Sequence, residues 1–391
     1  MASSRAQRKA TTEATGDAAL SLMLAFAERT GLVGDAPPRR YLWTDAFAVC
    51  NFLALGETEL AERLVDQVHA VLGTHRPDDA RRGWLGDMDD ETAAVHPTRG
   101  GLRIGKPLPE SPAEAALDPD GDWDRDGQYF HYLTRWMHAL DQFARRAGSA
   151  DAGRWARELA QTAHRAFAWS PAPGAPQRLY WKMRTDLSAP LVASMGQHDA
   201  LDGLITYLQL RAHRPAARVG HGPELDAELR EMAAMAAGTN LLTDDPLGIG
   251  GLLVDAYRLA QLLRVRPGDN PLLGLVVGAA ANGLAQFLAS HPWSKPVERR
   301  LAFRELGLAI GLLAVARLWR VLERDAASLD AQPALRASLD ALIAQVPVAR
   351  TIIDFWSDDA RQRSAAWLAH EDINAVMLAT ALEPAGYLDL T

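Results

Sequence analysis

The chain has one cysteine, Cys50, in 391 residues, which excludes intrachain disulfides and Cys-rich zinc sites. Lysine is nearly as scarce: Lys9, Lys106, Lys182 and Lys295 are the only four among 41 basic residues. The net charge is −8 and no basic stripe is visible, so a nucleic-acid partner is not expected. No uninterrupted apolar run reaches the roughly eighteen residues of a membrane span. Met1 to Thr12 are polar with no apolar stretch behind them, so no secretory signal is read and a cytoplasmic location is expected. The phosphate-cradling loop, the dinucleotide fingerprint, the G-x-S-x-G elbow and the HExxH zinc motif are absent. Alternating β-branched runs hardly occur, so strands should be few. What remains is a globular composition, 48% hydrophobic and 23% charged.

Helical periodicity fills this space. The spacing predicts an unordered stub over 1–12, then a single domain over 13–391. That domain should hold twelve helices, at 14–29, 42–55, 57–73, 128–146, 150–168, 197–212, 224–238, 248–264, 270–289, 302–320, 333–345 and 371–382. The even-numbered members, such as GIGGLLVDAYRLAQLL, are apolar on several faces and rich in Gly and Ala, which marks buried helices with close neighbours. The odd-numbered members, such as ETELAERLVDQVHAVLG, carry charge on one face and read as an outer layer. Six outer–inner hairpins in succession describe an all-α chain, an (α/α)6 toroid. The long connections, 74–127, 169–196 and 346–370, all run from an outer to an inner helix and so fall on one face. Long loops on a rigid scaffold are where function is expected.

In helix number, hairpin order and length, residues 14–385 resemble the six-hairpin glycosidase superfamily, which includes glycoside hydrolases and sugar 2-epimerases. The resemblance is architectural. It implies an active site at the mouth, over the starts of the inner helices, and a small carbohydrate substrate.

Several residues fit a saccharide mouth. Trp84, Trp123, Trp181, Trp293, Trp356 and Trp367 fall in the outer-to-inner loops, and Trp43 opens the first inner helix. Aromatic faces stack on sugar rings while the indole N–H bonds a hydroxyl. Lys106, Lys182 and Lys295 lie in the same loops, with Arg103 and Arg184 nearby, and a compact ammonium suits an anionic sugar. Tyr129, Gln197 and Asp45 are further candidate sugar contacts.

Hydrolysis needs two carboxyls across the glycosidic bond. Asp126 and Glu371, at the starts of the second and sixth inner helices, are the first pair, with Asp199 as substitute and Asp124 beside Asp126. N-capping is the alternative reading of each. The alternating run Asp120, Asp122, Asp124 is the one place where calcium could bind. Read as an EF-hand loop from Asp122, it has Leu133 where a bidentate Glu is needed. No other cofactor or metal is expected. Asp87-Met88-Asp89-Asp90 matches the D-x-D-D acid motif of class II terpene cyclases, but His96-Pro97 ends any helix there at once.

Histidine supplies a rival chemistry. His131, His198 and His370 begin three inner helices, and the resemblance implies that histidines could act as acid and base in a sugar epimerase. His198 and Asp202 are four apart and can pair, while Gln128, His131, Tyr132 and Arg135 share one face. A non-catalytic toroid that binds a glycan or protein is the third reading.

Overall fold

The computed structural model describes residues 2–111, 124–192, 194–213, 222–263 and 270–390, with side chains from residue 14 onward. The chain is all-α, 66% helical and 4% strand. The twelve expected helices all form: α1 (Ala2–Arg29), α2 (Leu42–Ala54), α3 (Thr58–Leu72), α4 (Phe130–Ala147), α5 (Ala150–Phe167), α6 (Asp199–Ala212), α7 (Asp226–Ala237), α8 (Pro246–Leu262), α9 (Pro271–Ala289), α10 (Ala302–Leu322), α11 (Pro333–Trp356) and α12 (Glu371–Leu382). Their ends follow local chemistry. Ser149, Asp245 and Asn270 each accept a backbone N–H of the first turn, and proline occupies the first helical position after Asp245 and Asn270. Helix α4 stops at Gly148, which is left-handed (φ 71°).

Two boundaries differ from expectation. Helix α1 begins at Ala2, so residues 2–12, read as an unordered stub, have helical backbone; the segment holds three Ala and two Arg with Gln7 and Lys9, all good helix formers, and no Gly or Pro. Helix α11 runs through Pro347 to Trp356 instead of stopping at residue 345. The proline lacks an N–H, yet the buried residues Ala349, Ile352, Ile353 and Trp356 beyond it keep an apolar face that holds the turn on its neighbours.

The chain forms two compact units, Ala27–Thr239, and Met1–Phe26 with Asn240–Thr391. In the first, the inner helices α2, α4 and α6 pack side by side, with α3, α5 and α7 against them. In the second, α8, α10 and α12 pack in the same order, backed by α9 and α11. Helices α8 and α10 approach each other closely. A Cβ on Gly250 would lie 2.2 Å from the Gly307 carbonyl oxygen, and one on Gly311 would lie 2.6 Å from the Gly250 Cα. Only glycine permits that backbone contact. Helix α9 is, among the described residues, the one helix long and apolar enough to cross a membrane, and it packs on α8 and α11.

The long loops of the first unit carry secondary structure of their own. Strand β1 (Gln128–Tyr129) leads directly into α4. β2 (Ala168–Trp169) pairs with β3 (Arg178–Leu179), and β4 (Lys182–Met183) pairs with both β1 and β5 (Pro190–Val192). The loop after α3 and the loop after α5 are thus stitched to each other at the foot of α4. Arg81 adds to the seam by reaching Asp79, Glu110 and Asp186 at 2.6–2.8 Å.

Candidate functional site

The starts of α2, α4 and α6 gather the chemistry of the first unit. Tyr41 precedes α2, and its hydroxyl lies 2.6 Å from that of Tyr132 in α4. Tyr132 packs edge-on against His131, and Tyr129 stacks on the same ring, so the imidazole contacts two tyrosines. Tyr129 also meets Trp181, with centroids 5.2 Å apart. Two ammonium groups approach this aromatic wall: Lys106 Nζ is 5.8 Å from the Tyr41 ring centroid and Lys182 Nζ is 5.3 Å from that of Tyr129. Tyr41, His131 and Trp181 are half-buried, the exposure of groups that pack on one side and leave the other open.

Acidic residues come from the neighbouring helix α6. Asp199, the first residue of α6, is buried and accepts the Gly196 backbone N–H at 3.1 Å. Asp202, one turn on, receives the Thr134 hydroxyl and pairs with Arg135 at 3.1 Å. Burial first, and the charge of Asp202 second, push the Asp199 carboxyl up to about 7. A buried carboxyl with a charged acidic neighbour keeps its proton until near neutrality. The His131 ring is pushed the opposite way, down to about 4, by burial and then by the Arg135 charge, so it is neutral at physiological pH. Its Nδ1 finds no hydrogen-bond partner among the described residues. The fold thus sets a protonatable carboxyl and a neutral imidazole around one Asp202–Arg135 pair, beside an aromatic wall.

Other residues singled out in the sequence have different roles. Asp126 is fully buried, and Arg103, Arg76 and the backbone N–H groups of Gly105, Lys106 and Gly127 all converge on its carboxylate. With both oxygens so engaged it staples the loop after α3 to the start of α4. Arg103 is part of the same staple and also donates to Thr74 and Val71 carbonyls. Lys182, read as a candidate contact for an anionic sugar, is instead completely buried where β4 pairs on two sides, and its ammonium donates to the Arg125 carbonyl. Arg184 bridges Glu110 and the Ser111 carbonyl. Asp45 accepts the Tyr41 backbone N–H and sits 3.5 Å from Arg40, which is capping. Trp43 is 6% exposed, packed on Phe47 in the core. Trp84 is half-buried in its loop and donates to Asp90. Asp89 of the D-x-D-D run caps the short helix Asp90–Val95. Gln197 and Asp124 are exposed, and His198 is half-buried.

In the second unit, Trp356 ends α11 instead of lying in a loop, and with Trp367 it is core. Arg300 pairs with Glu305, which also accepts the Trp356 indole N–H at 2.8 Å. Trp293, Lys295 and His370 are exposed, His370 edge-on to Phe303, and Glu371 is half-buried at the start of α12. Asp126 and Glu371 fall in different units, as do Lys106 and Lys295, so neither the acid pair nor the lysine trio forms within one unit. Trp123, Asp120 and Asp122 lie outside the described residues. No cluster of three or more metal-ligating side chains occurs among the described residues.

Sequence reasoning under-weighted Tyr41, Thr134 and Arg135. The signal was present: YLW before the first inner helix, and H-Y-L-T-R at helical spacing in the second.

No family model matches the chain, and no curated protein matches it. Among solved structures it is similar to one described as cellobiose 2-epimerase from Spirochaeta thermophila DSM 6192, at 13% sequence identity and a TM-score of 0.47, over 88% of this chain and 86% of that one.

Proposed function

We propose that the chain is a sugar epimerase or isomerase that moves a proton beside the carbonyl of a small saccharide, with Asp199 as the proton carrier. The observation that carries this reading is the placement of Asp199: a buried carboxyl pushed up to about 7, in the first turn of α6, beside the same Asp202–Arg135 pair whose charges also bear on the neutral His131 ring. An acid–base catalyst works best when its pKa is near the working pH, because it can then take a proton and return it. Neutral His131 supplies a hydrogen bond to the carbonyl oxygen without the cost of burying a cation, and Trp181 with Tyr129 supports the ring. Hydrolysis is less well supported. It asks for a second ionised carboxylate on the far side of the bond, and in this unit Asp126 is held by arginine and backbone while Asp202 shares a helix with Asp199.

The test is exchange in heavy water. Incubated with reducing mono- and disaccharides such as mannose and cellobiose, the protein should place deuterium on the carbon next to the carbonyl, read by NMR, and Asp199→Asn should abolish it. New reducing ends without deuterium on that carbon would identify a hydrolase. Saturable sugar binding with neither outcome would leave a binding protein.

A further inference from the structure

Asp199 and Asp202 are three residues apart on α6 and so share one helix face. Two carboxyls this close do not both ionise freely; one keeps a proton over a wide pH range, and nothing in the pair itself decides which. The surroundings break the tie. Asp202 receives the Thr134 hydroxyl and the Arg135 guanidinium, both from α4. Asp199 receives one backbone N–H, from Gly196, whose missing side chain makes room for it: a Cβ there would lie 2.3 Å from the Asp199 Oδ2.

Most other charged or titratable groups that reach α6 act near its C-terminal end: from α4, Asp141 accepts from the Gln209 amide, His138 bonds the same side chain and Arg145 reaches the Gln209 carbonyl, while from α5 Arg157 donates to the Leu210 carbonyl. From α4, His131 is the neutral ring. From α5, Glu158 pairs with His96 and Arg99, and His164 with Glu231 of α7. Glu228 of α7 bears on Tyr207. On α6 itself, His198 lies just before Asp199. Arg178 of β3 is exposed.

We infer that Arg135 is a positioning residue: by fixing the negative charge on Asp202, it makes Asp199 the carboxyl that holds the transferable proton. The cation does not touch the reacting atoms. It acts through Asp202, and the Thr134 hydroxyl holds Asp202 in the register that lets it do so. Arg135→Lys should preserve the arrangement in part, since it keeps the charge while losing the planar fork. This inference rests on the reading of Asp199 as proton carrier, so its test includes a measurement that needs no turnover.

That measurement is the carboxyl carbon titration of the full chain labelled at aspartate. One carboxyl should titrate near neutrality and vanish in Asp199→Asn. In Asp202→Asn, an isosteric change, the midpoint should fall by about one pH unit or more. In Arg135→Gln the single step should split into two steps shared by the pair, and Arg135→Lys should restore most of the single step. A midpoint unmoved by Asp202→Asn overturns the inference, whether or not Arg135→Gln folds. So does a near-neutral titration that survives Asp199→Asn. If the titrations move as expected while no sugar exchanges deuterium, the charge arrangement stands and the proposed reaction fails. If exchange occurs, its pH profile should follow the carboxyl titration in each variant; an unchanged profile beside lowered stability would reduce Arg135 to a structural ion pair.

Discussion

Two aspartates at the starts of neighbouring inner helices make an instructive contrast. Asp126, just before α4, and Asp199, opening α6, are both buried and both precede a run of apolar helix. Asp126 is surrounded by compensation: two arginines and three backbone N–H groups. Asp199 has one backbone N–H and an acidic neighbour. Burial is therefore the common factor and compensation the distinguishing one. A carboxylate whose charge is fully answered builds the fold. One whose charge is poorly answered holds a proton and is available for chemistry.

That contrast can be broken most decisively by exchanging the consequences. Asp199→Asn should reduce turnover by at least about a thousandfold, because no other carboxyl in the cluster is placed to carry the proton. Asp126→Asn should instead leave turnover per folded molecule nearly intact and destabilise the chain by about 3–5 kcal/mol, the cost of leaving buried arginine partly unpaired, read from denaturant unfolding. Inactive but well-folded Asp126→Asn would overturn the division of roles.

Smaller is the dependence on pH. The Asp199 carboxyl rises from an ordinary value of 3.8 to about 7, so between those values the folded state holds a proton that the unfolded state has lost. Stability from this group is thus lost as pH rises through that window, and Asn, which carries no charge, avoids the loss. The Asp199→Asn variant should gain on the parent from pH 4 to pH 7 by up to a few kcal/mol, then hold level, on the order given by the shift. A difference that shrinks with rising pH would show that the carboxyl is stabilised as an anion.

The smallest effect on turnover comes from a comparison of two tryptophans. Trp181→Ala should raise KM by about tenfold, the loss of one ring's stacking, with a modest change in stability. Trp43→Ala should do the reverse, costing roughly 3–5 kcal/mol as a core cavity with KM unchanged in the folded fraction. Equal effects would mean that the aromatic wall is only core.

The same residues show how far the sequence could be read. Helix positions were legible because caps, prolines and apolar periods are local: Asp245-Pro246 and Asn270-Pro271 announce α8 and α9 at the position where they start. Helix α11 was read short because Pro347 is a local stop signal that distant packing overrides. The inner-helix starts were also legible as a set of candidates. Choosing among them was not, because the deciding partners are remote. Arg103 comes from a loop more than twenty residues before Asp126, and Arg135 lies on a different helix from Asp202. Lys182 looked like an exposed loop cation because nothing near it in sequence reveals that β1 and β5 close over it.

The small sheet β1-β4-β5 also limits how this protein can be altered. The loops after α3 and α5 are far apart along the chain, yet β1 and the Asp126 staple at the end of one are joined through β4 to the other. A graft that replaces one loop would strand the backbone partners and the buried Lys182 of the other. The unit that can be exchanged is therefore the pair of loops, and insertions should be tolerated outside the ladder, not between Gln128 and Tyr129 or between Lys182 and Met183.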